Sequence, residues 1–289
     1  MLMIMKKLTT ILTISALMLA ASCNKAETPV QEEAMTYSVS VPMTKAVNAD
    51  GSAINKVWYG LYKEDGTLVK NYSPVDFTEG SAHCSVVMMR GQSYKIVFVA
   101  QHEPTYSIDA NNAVVSMPST PVANTDENDL FYYLEEVNDY AGQKTGAVVL
   151  NRAVALVNFH CNDTDWANAN TLGATPAYSS VTLKGVPTTF NLLSGEASAT
   201  LGNVTYSRAA IPGDKYLAGA YCFVPESNIT AEVNLYTADP DASLVRTLEV
   251  GNVPVEANMQ TNITGAIMTG TVDFDITISA GNTSTDKEI

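Results

Sequence analysis

From Met35 to Met43 the chain alternates strictly: Met35, Tyr37, Val39, Val41 and Met43 fall on one side, Thr36, Ser38, Ser40 and Pro42 on the other. A period of two puts successive side chains on opposite faces of an extended backbone, so the segment is predicted as a half-buried β-strand. The same grammar recurs downstream. Residues 57–63 and 67–72 flank Asp65-Gly66, a dipeptide that accepts positive φ between two apolar runs and predicts a tight hairpin. Residues 84–89 and 94–100 are expected to form a second antiparallel pair across Arg90-Gly91-Gln92-Ser93. After residue 145, the runs 148–159, 179–183, 216–224, 231–236, 243–250 and 261–268 are β-branched or aromatic and are broken by Gly, Pro, Asn and Asp.

Two segments depart from this rhythm. Residues 163–172 are predicted as a short helix capped by Asp165, and residues 130–137, with Leu130, Leu134 and Val137 at helical spacing, read either way. Residues 101–129, rich in Pro, Asn, Asp and Ser, are expected to be long loops with at most a short strand near Val114-Val115. Many short strands at regular spacing predict an all-β fold of antiparallel β-sandwiches. A border near Gly142 to Gly146 divides the chain into sandwiches 35–143 and 144–289, although a single large all-β domain is also compatible with the length.

The first residues change the picture from a soluble sandwich to an exported one. Lys6 and Lys7 precede an apolar run, 8–21, that is too short to span a bilayer and ends in Leu19-Ala20-Ala21-Ser22-Cys23. Charged start, apolar middle and small residues before a cysteine describe a lipoprotein signal peptide, 1–22, with lipidation at Cys23 and a polar tether, 23–34. Acyl chains, palmitate among them, would hold Cys23 on a membrane through their buried methylenes. The plainer reading, a secretory signal with a coincidental cysteine, leaves the polar stretch 24–34 without a purpose.

Removing the signal leaves 14 basic and 30 acidic residues, a formal charge of −16 that repels phosphate backbones and argues against a nucleic-acid partner. Besides Cys23 there remain Cys84, Cys161 and Cys222, an odd number. Cys161 and Cys222 are open to a single bridge or to burial as small hydrophobes.

Several constellations tempt a chemical reading. His83-Cys84 and His160-Cys161 resemble metal pairs, but neighbours on a strand face opposite ways, so no metal is expected. Asn124, Asp126, Asn128 and Asp129 alternate like calcium ligands yet lack the following glycine and distal glutamate, and are read as a solvated acidic loop. Glu135-Glu136 are adjacent and unsuited to flank one glycosidic bond. With no phosphate loop, nucleophile elbow or zinc-protease helix, the chain is expected not to be an enzyme and to need no cofactor. Trp58 is read as core, whereas Trp166, among Asn162, Asp163, Asp165 and Asn168, is the candidate for glycan contact beside a packing role.

Five pieces, in order along the chain, carry a family resemblance. They are Gly91-Gln92-Ser93-Tyr94 leading into Phe98 and Ala100, Leu150-Asn151-Arg152-Ala153-Val154-Ala155 leading into Val157 and Phe159, Phe190-Asn191-Leu192 with Gly195-Glu196, Tyr216-Leu217-Ala218 with Tyr221, and Asn258-Met259-Gln260-Thr261-Asn262-Ile263-Thr264-Gly265 with Met268-Thr269. With the lipoprotein signal, this order resembles the fimbrillin-like lipoproteins, the type V pilin group of Gram-negative anaerobes. A basic pair usual in that family is absent near Met259-Gln260. The resemblance implies two consecutive transthyretin-like β-sandwich domains, a place on the cell outer membrane and in a fimbrium, a role in cell adhesion, and assembly with other copies or other fimbrial subunits by donor-strand exchange.

The ends of the chain suit that mechanism. Val272, Phe274, Ile276 and Ile278 line one face of residues 271–278, without a proline to remove a ladder bond, and form the candidate donor strand. Tyr37, Val39 and Val41 form the candidate displaced strand, expected at a sheet edge. The polar loop 42–51 between the first two strands offers a tryptic cut between Lys45 and Ala46, and the resemblance implies proteolysis in the corresponding loop, where many of the resembling pilins carry arginine instead of lysine. The competing expectation is a non-polymerising outer-membrane lipoprotein that keeps its first strand and binds glycan or a host or bacterial surface ligand.

Overall fold

A computed structural model describes residues 31–42, 53–237, 244–270 and 274–280. The first half carries β1 (Glu32–Ser40), β2 (Lys56–Lys63), β3 (Leu68–Asn71), β4 (Val75–Asp76), β5 (Ser81–Met89), β6 (Tyr94–Gln101), β7 (Ser107–Asp109), β8 (Val114–Ser116), β9 (Leu130–Val137), β10 (Thr145–Val149) and β11 (Asn151–Arg152). The second half follows with β12 (Ala155–Cys161), helix α1 (Asp163–Leu172), β13 (Tyr178–Pro187), β14 (Thr189–Asn191), β15 (Glu196–Ala197), β16 (Leu201–Ala210), β17 (Tyr216–Cys222), β18 (Ile229–Tyr236), β19 (Leu244–Val253), β20 (Met259–Gly265) and β21 (Phe274–Ala280). The all-β expectation holds.

Two apolar cores organise these strands. The first lies between the sheet β10-β1-β5 and one face of the sheet β11-β9-β6-β2-β3, and is filled by Tyr37, Val39, Cys84, Val86, Tyr59, Ile96 and Phe98. The other face of that larger sheet, with Trp58, Tyr62, Val97 and Val99, joins the second core. Burial on both faces is why β2 and β6 read as nearly continuous apolar runs instead of alternating. The second core continues between the sheets β17-β12-β20-β21 and β16-β13-β18-β19.

Local chemistry shapes the connections. At Asp65-Gly66 the hairpin forms as expected: Gly66 has φ +86°, and the Asp65 carboxylate accepts from the Thr67 amide at 2.9 Å. The helix spans the predicted residues, but its cap is Asn162, whose side chain accepts from the Asp165 amide at 2.8 Å. Asp165 is drawn inward, accepting from the amides of Met268 at 2.6 Å and Thr269 at 2.7 Å.

Several expectations need correction. Residues 130–137, which read either way from the sequence, are a strand, because β9 completes the central ladder against β6. The strands joined by Arg90-Gly91-Gln92-Ser93 do not pair; β5 pairs with β1 and β6 with β2 and β9, so the turn carries the chain from one sheet to the other. The first strand begins at Glu32, inside the stretch expected as tether. The border at 143/144 precedes β10, which pairs with β1, and β11, which pairs with β9. The loop region 101–129 supplies the expected short strand at Val114–Ser116, β8, together with β7, which was not expected; β8 pairs with β14 of the second half, stitching the halves together.

Candidate functional site

The candidate site is the slot that β1 occupies. Its inward row, Met35, Tyr37, Val39 and Val41, is buried, as the alternation requires. Strand β1 is not at a sheet edge as expected. It pairs antiparallel with β5 over residues 32–40 and parallel with β10 over residues 36–40, so both of its ladders are occupied. Residues β5 and β10 are neighbours only through β1, so withdrawing it would open two facing backbone edges over an apolar floor.

The inward row begins with an acid. Glu33 is 5% exposed at its side chain, and its carboxylate accepts from Arg90 Nε at 2.8 Å and from Lys144 Nζ at 2.5 Å. Those hydrogen bonds hold its carboxyl down at about 2, against an ordinary 4.5. Across β1, Tyr37 stands in register with Gly146 of β10, where a Cβ would lie 2.7 Å from both Tyr37 Cε1 and Met35 Cε. Only a residue without a side chain leaves room for that ring. None of Glu33, Arg90, Lys144 and Gly146 was read from the sequence as a residue of the site. The available signal was that Glu33 shares the phase of Met35, Tyr37 and Val39, an acid on the side meant for the core.

At the other end, Phe274 and Ile276 of β21 pack against the second core, and Ile278 lies half-buried on the same face. β21 pairs with β20 alone among the described residues, as an edge strand. Cys23, Lys45, Ala46 and Val272 lie outside the described residues.

The remaining candidates have structural occupations. Trp166 is half-buried against the second core, and Trp58 is buried with its indole N–H donating to Asn71 at 2.8 Å. His83 is exposed while Cys84 is buried, and no metal-binding cluster occurs among the described residues. Asp129 leaves the suspected acidic loop to pair with Arg152, and Asn128 is buried. Cys84, Cys161 and Cys222 are free and buried; Cys222 pairs in register with Ala155, at the far end of β12 from Cys161, which rules out a bridge between them. Burial pushes all three thiols up to about 12.

A cleft of about 400 Å³ runs past Tyr132, Phe190, Asn151 and Ser194. Its aromatic rings meet each other edge-on at 5.1 Å, and the Tyr132 hydroxyl donates to the Leu192 carbonyl at 2.7 Å.

No curated protein matches the chain. Solved structures do. A candidate cell adhesion protein of Bacteroides uniformis is similar at 12% identity with a TM-score of 0.53, covering 86% of this chain and 98% of that one. A candidate adhesin of Bacteroides thetaiotaomicron is similar at 10% identity with a TM-score of 0.51, covering 87% of this chain and 97% of that one. At such identity the likeness is one of fold. A family model described as a family of unknown function (DUF6562) matches residues 26–288, and the chain belongs to that family.

Proposed function

We propose that the protein is a lipid-anchored surface subunit of an adhesive fimbrium, without catalytic activity, in which a strand donated by another subunit replaces β1. The observation that carries this reading is the seat of β1: a strand inserted between β5 and β10, and followed in the sequence by the stretch that holds Lys45. The fold shared with the two Bacteroides proteins, described as candidates for adhesion, supports it. So do the signal and Cys23, which would bring the chain to the outer membrane and hold it there until Lys45 is cut.

An occupant of the slot would bury side chains equivalent to Met35, Tyr37, Val39 and Val41, worth about 1.5–3 kcal/mol each before the entropy of association. Two ladders would set its register. β21, with Phe274, Ile276 and Ile278 on one face and Val272 in the same phase just before it in the sequence, has the form of a donor, since an edge strand leaves its own sheet at the loss of one ladder.

Two measurements test the reading. Mass spectrometry of the mature surface protein should find an N-terminus at Ala46 in assembled material. Cutting the protein after Lys45 in the presence of the other fimbrial subunits of its cell envelope should produce oligomers that survive sodium dodecyl sulfate. Monomer that persists after complete cleavage, with acylated Cys23 and β1 retained on cells, would instead identify a stationary accessory or glycan-binding lipoprotein.

A further inference from the structure

We propose that the slot under β1 selects its occupant by charge and shape, taking a strand that bears an acid four residues before an aromatic side chain, and that this strand comes from a different polypeptide. The proposal rests on the strand-replacement reading above and adds the identity of the partner strand.

The charge filter is built into parts of the fold that stay when β1 leaves. Arg90 follows β5 and Lys144 precedes β10, so both cations flank the slot without belonging to the strand in it. Their segments are tied together directly: the Gly91 amide donates to the Tyr140 carbonyl at 3.0 Å, and the Tyr140 amide donates to the Gln92 carbonyl at 2.9 Å. Gly142, with φ +93°, lies flush against the Arg90 guanidinium, and a Cβ there would come within 2.5 Å of Arg90 Cζ. Arg90 and Lys144 are 53% and 64% exposed, whereas the carboxylate between them is almost wholly enclosed. An occupant without an acid at that place brings two cations together around a neutral group.

The shape filter is Gly146. It opens a notch on β10 opposite Tyr37, and the notch sits four residues along the strand from the Glu33 position. The slot therefore reads acid, then apolar, then aromatic, then two apolar side chains, at every second residue.

The C-terminal strand of this same chain meets that pattern at all but one place. With Phe274 over Gly146, Val272 takes the Met35 position and Ile276 and Ile278 take those of Val39 and Val41; Gly270 then stands where Glu33 does. Sliding the strand by two residues in either direction brings Met268 or Val272 to that place, again without a charge. The apolar floor accepts this chain's own donor and the two cations do not, which favours a partner subunit carrying Asp or Glu there.

The test uses residues 24–289 with a specific protease site in the loop 43–52, cut so that β1 can exchange, and fluorescent peptides followed by anisotropy. A peptide of residues 31–42 should enter the slot. The same peptide with Glu33→Gln should bind at least tenfold more weakly. A peptide of residues 268–280 should gain at least tenfold on Gly270→Glu, and both differences should vanish in Arg90→Gln/Lys144→Gln protein. Equal binding of acid and amide peptides, or differences that persist without the two cations, overturns the charge filter while leaving strand replacement standing. Failure of every peptide to enter overturns strand replacement and this proposal together.

Discussion

Replacing Asp129 by alanine removes one half of an ion pair whose side chains are each 1% exposed. Arg152 donates through Nε to Oδ1 at 2.8 Å and through Nη2 to Oδ2 at 2.9 Å, and the Leu130 amide donates to Oδ1 at 2.9 Å. The guanidinium also lies 5.2 Å from the centre of the Phe131 ring. Without Asp129, the buried guanidinium loses its bonds to that carboxylate while keeping its charge, and the buried Leu130 amide loses its acceptor. Breaking a buried pair from one side costs about 3–5 kcal/mol, and an orphaned amide about 1–3 kcal/mol, terms that overlap because the groups share one site. We expect Asp129→Ala to cost about 4 kcal/mol. At a urea dependence of about 3 kcal/mol/M, this lowers the unfolding midpoint by about 1.3 M with an unchanged slope. The double variant Asp129→Leu/Arg152→Met removes both charges and should be the more stable of the two. A loss below about 1 kcal/mol in the single variant, or a double variant whose loss equals the sum of both singles, would refute the view that the lost carboxylate counter-charge dominates the site.

Three further outcomes follow from the same geometry. Because Glu33 is held at about 2 against 4.5, its contribution to seating β1 is complete above about pH 4.5 and fades as the pH falls toward 2. Amide exchange at Glu32 to Met35, corrected for intrinsic rates, should accelerate between pH 5 and pH 3 in the native protein and not in Glu33→Gln; equal protection at both pH values contradicts this. Gly146→Val should cost about 1–3 kcal/mol in urea unfolding by driving a methyl into Tyr37 and Met35, and an unaffected midpoint would mean that the notch is not needed. Ellman's reagent at pH 8 should leave Cys84, Cys161 and Cys222 unmodified in the folded protein and react with all of them once it is unfolded, whereas fast native labelling would show that burial does not protect them.

What a short window of residues dictates was legible before any coordinates. The strand from Met35 showed itself because one buried face imposes a period of two, and the turn at Asp65-Gly66 because positive φ admits few residues. The limits of the helix were visible as well. Its cap was not, because Asp165 answers to Met268 and Thr269, 103 and 104 residues away. Residues 130–137 carried two periodicities, and the ladder with β6 chose between them. The buried face of the strand that fills the candidate site, Tyr37, Val39 and Val41, was readable for the same local reason as the strand itself.

The alternation in the chain thus determined by itself that this protein is built of β-strands with apolar faces, and which side chains those faces carry. Which strands become neighbours is set by contacts between residues far apart, and only the tertiary structure decided it. Chain continuity suggested pairing β5 with β6, but burying both faces of the larger sheet sends β5 to β1 instead. The same reason hid the charged end of the slot: Glu33 meets Arg90 57 residues on and Lys144 111 residues on, a convergence that exists only once β1 lies between β5 and β10.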